Sequence, residues 1–207
     1  MADEISTLDG FIADRIGFDL PPWPGGWPGE IEAALLDAVF SIQARYGSEN
    51  SGVRAVVKKW KSRSGHGERA DDLAALAAVA PTQLAEIVQN NAKASGRLKA
   101  EIVVDAATKL SSVGLQHAED LDNSDAQRKA YLSVKGCGPV TWAYFGMLLG
   151  RPDVKADTWI LRFVKAALGQ TVSPSYAREM IVAIARERGV DATKLDHAIW
   201  KYARSSL

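Results

Sequence analysis

Residues 132–142 read LSVKGCGPVTW, and the fold turns on them. Just upstream, Ser124 and Gln127 have the spacing of a capping box and Asp125 suits the positive end of a helix dipole. A helix is therefore expected from there to Val134. Lys135-Gly136-Cys137-Gly138 breaks it. Pro139 then occupies a good first helical position for a helix that runs to Leu149 and stops at Gly150. Glycines at 136 and 138 permit positive φ and let the main chain approach a ligand with no Cβ in the way. The helix that starts at Pro139 brings unbonded N–H groups and a positive dipole end to the same spot, which makes an anion site of phosphate size. Lys135 can add charge there, and the Thr141 hydroxyl a donor. Such contacts fix a protein on a nucleic-acid backbone without reading its sequence. A plain helix–helix corner also favours Gly and Pro, so the hairpin by itself leaves both readings open.

Working outward, helix signals recur almost everywhere and no stretch alternates as a strand would. PPWPGGWPG at 21–29 is a rigid connection that no helix can cross. Beyond it, Ile31, Ala34, Leu35, Ala38, Val39 and Ile42 form the stripe of a buried helix, with Gly47 as its stop. Val53, Val56, Val57 and Trp60 share one face of the next helix, which starts near Gly52. Short helices are expected at 71–79 and 81–90, and a longer one over 95–112, where Leu98, Ile102, Ala106 and Leu110 lie four apart. Asp157, Ser173 and Asp191 can each cap a helix, ending near Gly169, Gly189 and Arg204 respectively. About ten helices with short loops make the chain all-α.

Composition narrows the class. The 207 residues carry 47% apolar and 24% charged side chains, ordinary for a globular protein. No apolar run is long enough for a membrane span, and no membrane partner is expected. The opening MADEISTLDG lacks a basic and apolar leader, so no secretion signal is expected. A single cysteine, Cys137, excludes an intramolecular disulfide and a four-cysteine zinc or iron–sulfur site, and three scattered histidines show no ligand spacing. No metal or cofactor is implied, and the expected compartment is reducing and cytoplasmic, at the nucleoid in a bacterium.

Net charge is zero, which argues mildly against a nucleic-acid partner. Its distribution argues the other way: residues 1–50 hold nine acidic and two basic side chains, whereas 53–69 hold six basic and one acidic. One positive face on a neutral body and a plain solvated helix and loop explain that run equally well.

Taken together, LSVKGCGPVTW and the VKADTWILRF that follows it at 154–163 resemble the signature of the helix-hairpin-helix DNA glycosylase superfamily, which includes endonuclease III and the alkyladenine glycosylases. Gly136 and Gly138 fall on the hairpin glycines that bind DNA phosphate in that family. Asp157 falls on its catalytic aspartate, and Arg162 on a basic residue often found five positions later. Upstream, LLDAVFSIQARYGS resembles an early helix that ends in Ser-x-Gln, with Gln43 on a glutamine that reaches into the DNA near the extruded nucleotide. SGRLKAEIVVDAATKL resembles the helix before the hairpin. The similarity covers roughly residues 30–165 in order and spacing. It implies a two-lobed helix-hairpin-helix glycosylase fold: a six-helix lobe at 36–150 and a terminal helical lobe from 1–35 and 151–207. It also implies a monomer acting on double-stranded DNA that contains a lesion.

The departures are informative. Bifunctional members carry a lysine two positions after the second hairpin glycine, where it attacks the sugar; here that position is Val140, which has no nucleophile. The resemblance therefore points to the monofunctional branch, in which water displaces the base, in base excision repair. Lys155, two residues before Asp157, is a displaced amine or an ordinary surface lysine. Base loss builds positive charge on the sugar, so a fixed carboxylate at Asp157 would stabilise the transition state more than the ground state. Asp157 also reads as a plain N-cap, and both roles can hold together. A target base must be extruded to be cut; Gln43 would probe the vacated space, and Tyr46, Trp142 and Trp159 are candidates to stack on the base, although most of the six tryptophans are expected in the core. The competing reading is a catalytically inactive DNA-binding or lesion-recognition protein with the same fold; a remoter one is a protein-interaction domain.

Overall fold

The computed structural model describes residues 2–44, 51–63 and 69–207. Tyr46 and the expected stop at Gly47 lie outside them. The chain divides into two compact units: a terminal unit of Met1–Gly25 with Arg151–Leu207, and a central unit of Gly26–Gly150.

Among the described residues the central unit holds seven helices, where six were expected: α2 (Ile31–Phe40), α3 (Gly52–Lys61), the five-residue α4 (Leu73–Ala77), α5 (Pro81–Val88), α6 (Lys99–Ser111), α7 (Asp125–Leu132) and α8 (Pro139–Leu148). The terminal unit holds α1 (Ala2–Arg15), α9 (Thr158–Leu168), α10 (Pro174–Glu187) and α11 (Ala192–Ser206). The all-α reading stands. α1 is not among the expected helices, although Ile5, Leu8 and Ile12 recur at helical steps and acidic Asp3 and Glu4 stand in its first turn; of its apolar residues, Leu8 and Ile12 are fully buried. These two join Ile160, Phe163, Ile181, Ile184, Leu195 and Ile199 in the core of the terminal unit. No helix of the described residues is long and apolar enough to cross a membrane.

Two expectations are corrected. The boundary after residue 35 would cut α2, whose ten residues are all buried; the division falls instead at Gly25/Gly26, inside the Pro/Gly/Trp connection. The helix expected over 95–112 begins only at Lys99, because Lys93–Ala94 and Arg97–Leu98 pair as a minimal antiparallel hairpin. Its two turn residues, Ser95 and Gly96, both have positive φ (52° and 80°), as a type I′ turn requires.

α2 organises the central unit. Being wholly buried, it must satisfy two carboxylates inside the protein. Glu32 accepts the Trp60 indole N–H at 2.7 Å and the Asp72 N–H at 2.9 Å. Asp37 accepts the Trp27 indole N–H at 2.9 Å and the Tyr144 hydroxyl at 3.2 Å. The helix stops at Phe40, short of the expected Ser-x-Gln end, because Lys99 of α6 donates its ammonium to the carbonyls of Phe40 (2.9 Å) and Ile42 (2.6 Å). Lys99 is itself buried, and burial lowers its pKa. Lys99→Met would leave those carbonyls without a donor. We expect it to cost about 1–3 kcal/mol, measured as a lower urea midpoint at unchanged slope.

Candidate functional site

The hairpin between α7 and α8 is built by local backbone rules. α7 starts at Ser124, whose hydroxyl accepts the Gln127 N–H at 3.4 Å. The reciprocal half of the box does not close on Ser124; the Gln127 side chain accepts instead from the Asp122 N–H at 3.2 Å and donates to the Asp120 carbonyl at 2.7 Å. After α7 the chain turns through Val134–Cys137, closed by the Cys137 N–H on the Val134 carbonyl at 2.9 Å. Gly136 takes φ +109° in that turn. A Cβ there would sit 2.5 Å from Ile102 Cδ1 of α6, so this glycine is required by the fold as well as by the turn.

Gly138 is different. Its backbone is extended (φ −151°, ψ 174°), which any residue can adopt, and a Cβ would meet nothing within 4 Å. Nothing in the fold asks for glycine here, and its bare face opens onto space. The Thr141 hydroxyl donates to the Gly138 carbonyl and accepts the Gly138 N–H, both at 2.9 Å. Its single proton is therefore engaged within the hairpin, and the expectation that Thr141 donates to a ligand gives way to a role in holding Gly138. Pro139 has no N–H, and the N–H groups of Val140 and Thr141 find no acceptor among the described residues. Two donors at the positive end of a ten-residue helix thus lie beside a glycine with open space around it. Lys135 is exposed at the turn. Arg97, which the sequence reading missed, donates to the Lys135 carbonyl at 3.4 Å and is itself held by Asp105 at 2.5 Å. Burial pushes the Cys137 thiol up to about 11, so the one nucleophile-type side chain in the hairpin stays protonated.

Gln43 is exposed in the turn after α2, with φ +49°, one residue beyond a carbonyl that Lys99 grips. It stands outside the helix on which it was expected. Trp142 packs at 5.3 and 5.8 Å between ring centroids against Tyr131 and Phe145, so it fills the core and offers no stacking face.

In the terminal unit Asp157 caps α9. One carboxylate oxygen accepts the N–H groups of Trp159 (2.8 Å) and Ile160 (3.3 Å), and the other has no donor among the described residues. Arg162, one turn on, is exposed and lies 4.6 Å over the Trp159 ring. Lys155 is half-buried, and its backbone N–H donates to Asp196 at 3.0 Å. Asp196 of α11 is buried, and its pKa rises to about 7 through burial first and then the Asp157 charge nearby. Ala156, between Lys155 and Asp157, has φ +46°. The sequence reading missed Asp196 along with Glu32 and Asp37. All three carry the same signal, a carboxylate on the apolar stripe of a helix.

The basic run at 53–69 is partly neutralised from within. Lys61 pairs with Glu30 at 2.5 Å, and Arg63 stacks 3.3 Å over Trp60 within 3.8 Å of Glu32. Part of the basic run is thus paired with the acidic side chains at the start of α2.

These features describe an all-α protein with a glycine-bearing helical hairpin and two backbone N–H groups without an acceptor among the described residues at the start of α8. Over residues 16–204 the chain matches the family described as a domain of unknown function (DUF8548), and it belongs to that family. No curated protein and no solved structure matches it.

The two hairpin glycines should separate on mutation. Gly136→Ala must meet both Ile102 and a left-handed backbone, and should lose about 1–3 kcal/mol of stability. Gly138→Ala should stay within about 0.5 kcal/mol of the parent in the same chemical denaturation. At the cap, Asp157→Ala should cost about 1 kcal/mol whereas Asp157→Asn, an equally good cap, should cost little.

Proposed function

We propose that the chain is a monofunctional DNA glycosylase with a two-lobed helix-hairpin-helix fold. It would hydrolyse the N-glycosidic bond of a damaged or mismatched base in double-stranded DNA, as a monomer in the cytoplasm. The observation that carries the reading is the start of α8: two backbone donors without an acceptor, next to a glycine whose missing Cβ no internal contact explains. A DNA phosphate is the ligand that such a hairpin suits, because it is anionic and must come close to the main chain. Lys135 and Arg162, both exposed, would add charge at the DNA backbone.

Chemistry falls to Asp157. Its capped oxygen, held by the N–H groups of Trp159 and Ile160, fixes the carboxylate at the head of α9. The remaining oxygen is available to face the positive charge that grows on the sugar as the base departs. That arrangement suits electrostatic stabilisation, with the attacking water oriented beside the same oxygen. The position two residues after the second hairpin glycine holds Val140, which cannot attack the sugar, and Cys137 stays protonated, so the reading is hydrolysis without a covalent intermediate. Gln43, exposed on its left-handed turn, would enter the space left by an extruded nucleotide.

A panel of duplexes carrying alkylated, oxidised, deaminated and mismatched bases, scored for abasic-site formation, tests this directly. Base release is expected from at least one, with no borohydride-trapped complex. Asp157→Asn should slow release by roughly 100-fold or more without loss of stability, and Gly138→Ala should weaken duplex binding about ten-fold. Salt-sensitive binding with no release from any duplex would instead favour a lesion-recognition protein, a reading supported by the cap role that alone would account for Asp157.

A further inference from the structure

The chain just before Asp157 is held in an uncommon shape. Ala156 is 3% exposed and left-handed at φ +46°, a conformation that an L-residue with a Cβ adopts only when its surroundings impose it. On one side, Lys155 gives its N–H to Asp196 at 3.0 Å. On the other, Asp157 is tied to the first turn of α9. Further back, the Asp153 N–H donates to the Thr193 hydroxyl at 3.2 Å, and Arg178 of α10 grips the Asp153 carboxylate at 2.6 and 3.0 Å. Thr193 and Asp196 lie three residues apart on α11, so one face of that helix carries the whole segment.

We propose that Asp196 is a positioning residue: its hold on the Lys155 N–H keeps Ala156 left-handed and thereby sets the direction of the Asp157 carboxylate. The inference deepens the glycosylase reading and rests on it for any effect on base release. Asp196 is buried and accepts the Lys155 N–H through one of its oxygens. A buried carboxyl is a costly way to hold one amide unless its position also matters electrically. The charged groups acting on it are Asp157 at the head of α9 and Lys155 and Asp153 in the preceding loop. Below about pH 7 Asp196 keeps its proton and adds no charge near Asp157; as the pH rises through that value it becomes a second anion. A second anion favours a cationic transition state, so base release should accelerate with rising pH.

The test pairs a structural readout with a kinetic one. In wild-type protein the Lys155 amide should be protected from hydrogen exchange, and Asp196→Leu should lose that protection while the other amides of α11 keep theirs. Single-turnover base release should fall at least about ten-fold in Asp196→Leu with duplex affinity unchanged. It should recover when Ala156→Gly is added, since glycine holds the left-handed bend unaided. Asp196→Asn, which keeps the acceptor, should retain the rate of the wild type's acid plateau and lose the inflection near pH 7. An Asp196→Leu protein that keeps both Lys155 protection and the wild-type rate overturns the proposal, as does an inflection that survives in Asp196→Asn. If wild-type protein releases no base from any duplex, the glycosylase reading fails; the exchange measurement still decides whether Asp196 sets the bend.

Discussion

A polar group taken out of water must find a partner inside the protein, and the central unit is arranged around that requirement at α2. A helix buried at all ten positions is an improbable place for Glu32 and Asp37. It is stable because Trp60, Trp27 and Tyr144 each turn a donor toward it, while Lys99 closes its last carbonyls. Indole is suited to this work: it brings a large apolar surface together with one N–H. The high tryptophan count, which invites thoughts of base stacking, is therefore explained in part by hydrogen bonding. Trp27 and Trp60 are donors to buried carboxylates, and Trp142 is core.

The same requirement, read in reverse, divides the helix starts. α4, α7, α9, α10 and α11 each begin with a side-chain oxygen on a first-turn N–H, supplied by Asp72, Ser124, Asp157, Ser173 and Asp191. α5, α6 and α8 lack such a cap; α8 has Gly138 in that place, and its Thr141 hydroxyl turns back to Gly138 instead of reaching outward. Of the two glycines only Gly136 is needed for packing. At α8 the uncapped start coincides with a glycine that packing does not require. The proposed function gives those donors a phosphate.

Much of this was legible in the sequence because it depends on near neighbours. Gly136 and Pro139 act through their own dihedrals. Ser124, Asp157, Ser173 and Asp191 cap helices two or three residues away, and all four were readable as caps. What was not legible depends on partners far along the chain. Lys99 ends α2 from 57 residues away, so the helix bearing Gln43 was read too long. The four-residue spacing of Leu98, Ile102, Ala106 and Leu110 carried α6 back through a Ser95-Gly96 turn that a period alone cannot exclude. Asp196 reaches Lys155 across 41 residues. Its own position between Leu195 and Ile199, on the buried side of α11, was the available sign.

The balance of charge fits this picture better than it first suggests. A protein that grips a polyanion with lysine and arginine needs an excess of both, and this chain has 25 basic and 25 acidic residues. Part of its most basic stretch is already committed, Lys61 to Glu30 and Arg63 to Trp60 and Glu32. Backbone N–H groups at a helix start attract an anion through fixed dipoles and carry no net charge, so they add nothing to the sum. Nor must they be recruited from solvent, because the helix holds them in place before any ligand arrives. Under the proposed function, a neutral chain would hold a DNA phosphate at one fixed point with only a few cations beside it. Such a hold would suit the proposed glycosylase, which must leave undamaged DNA readily, since each phosphate neutralised by a mobile cation would strengthen its hold on every sequence alike.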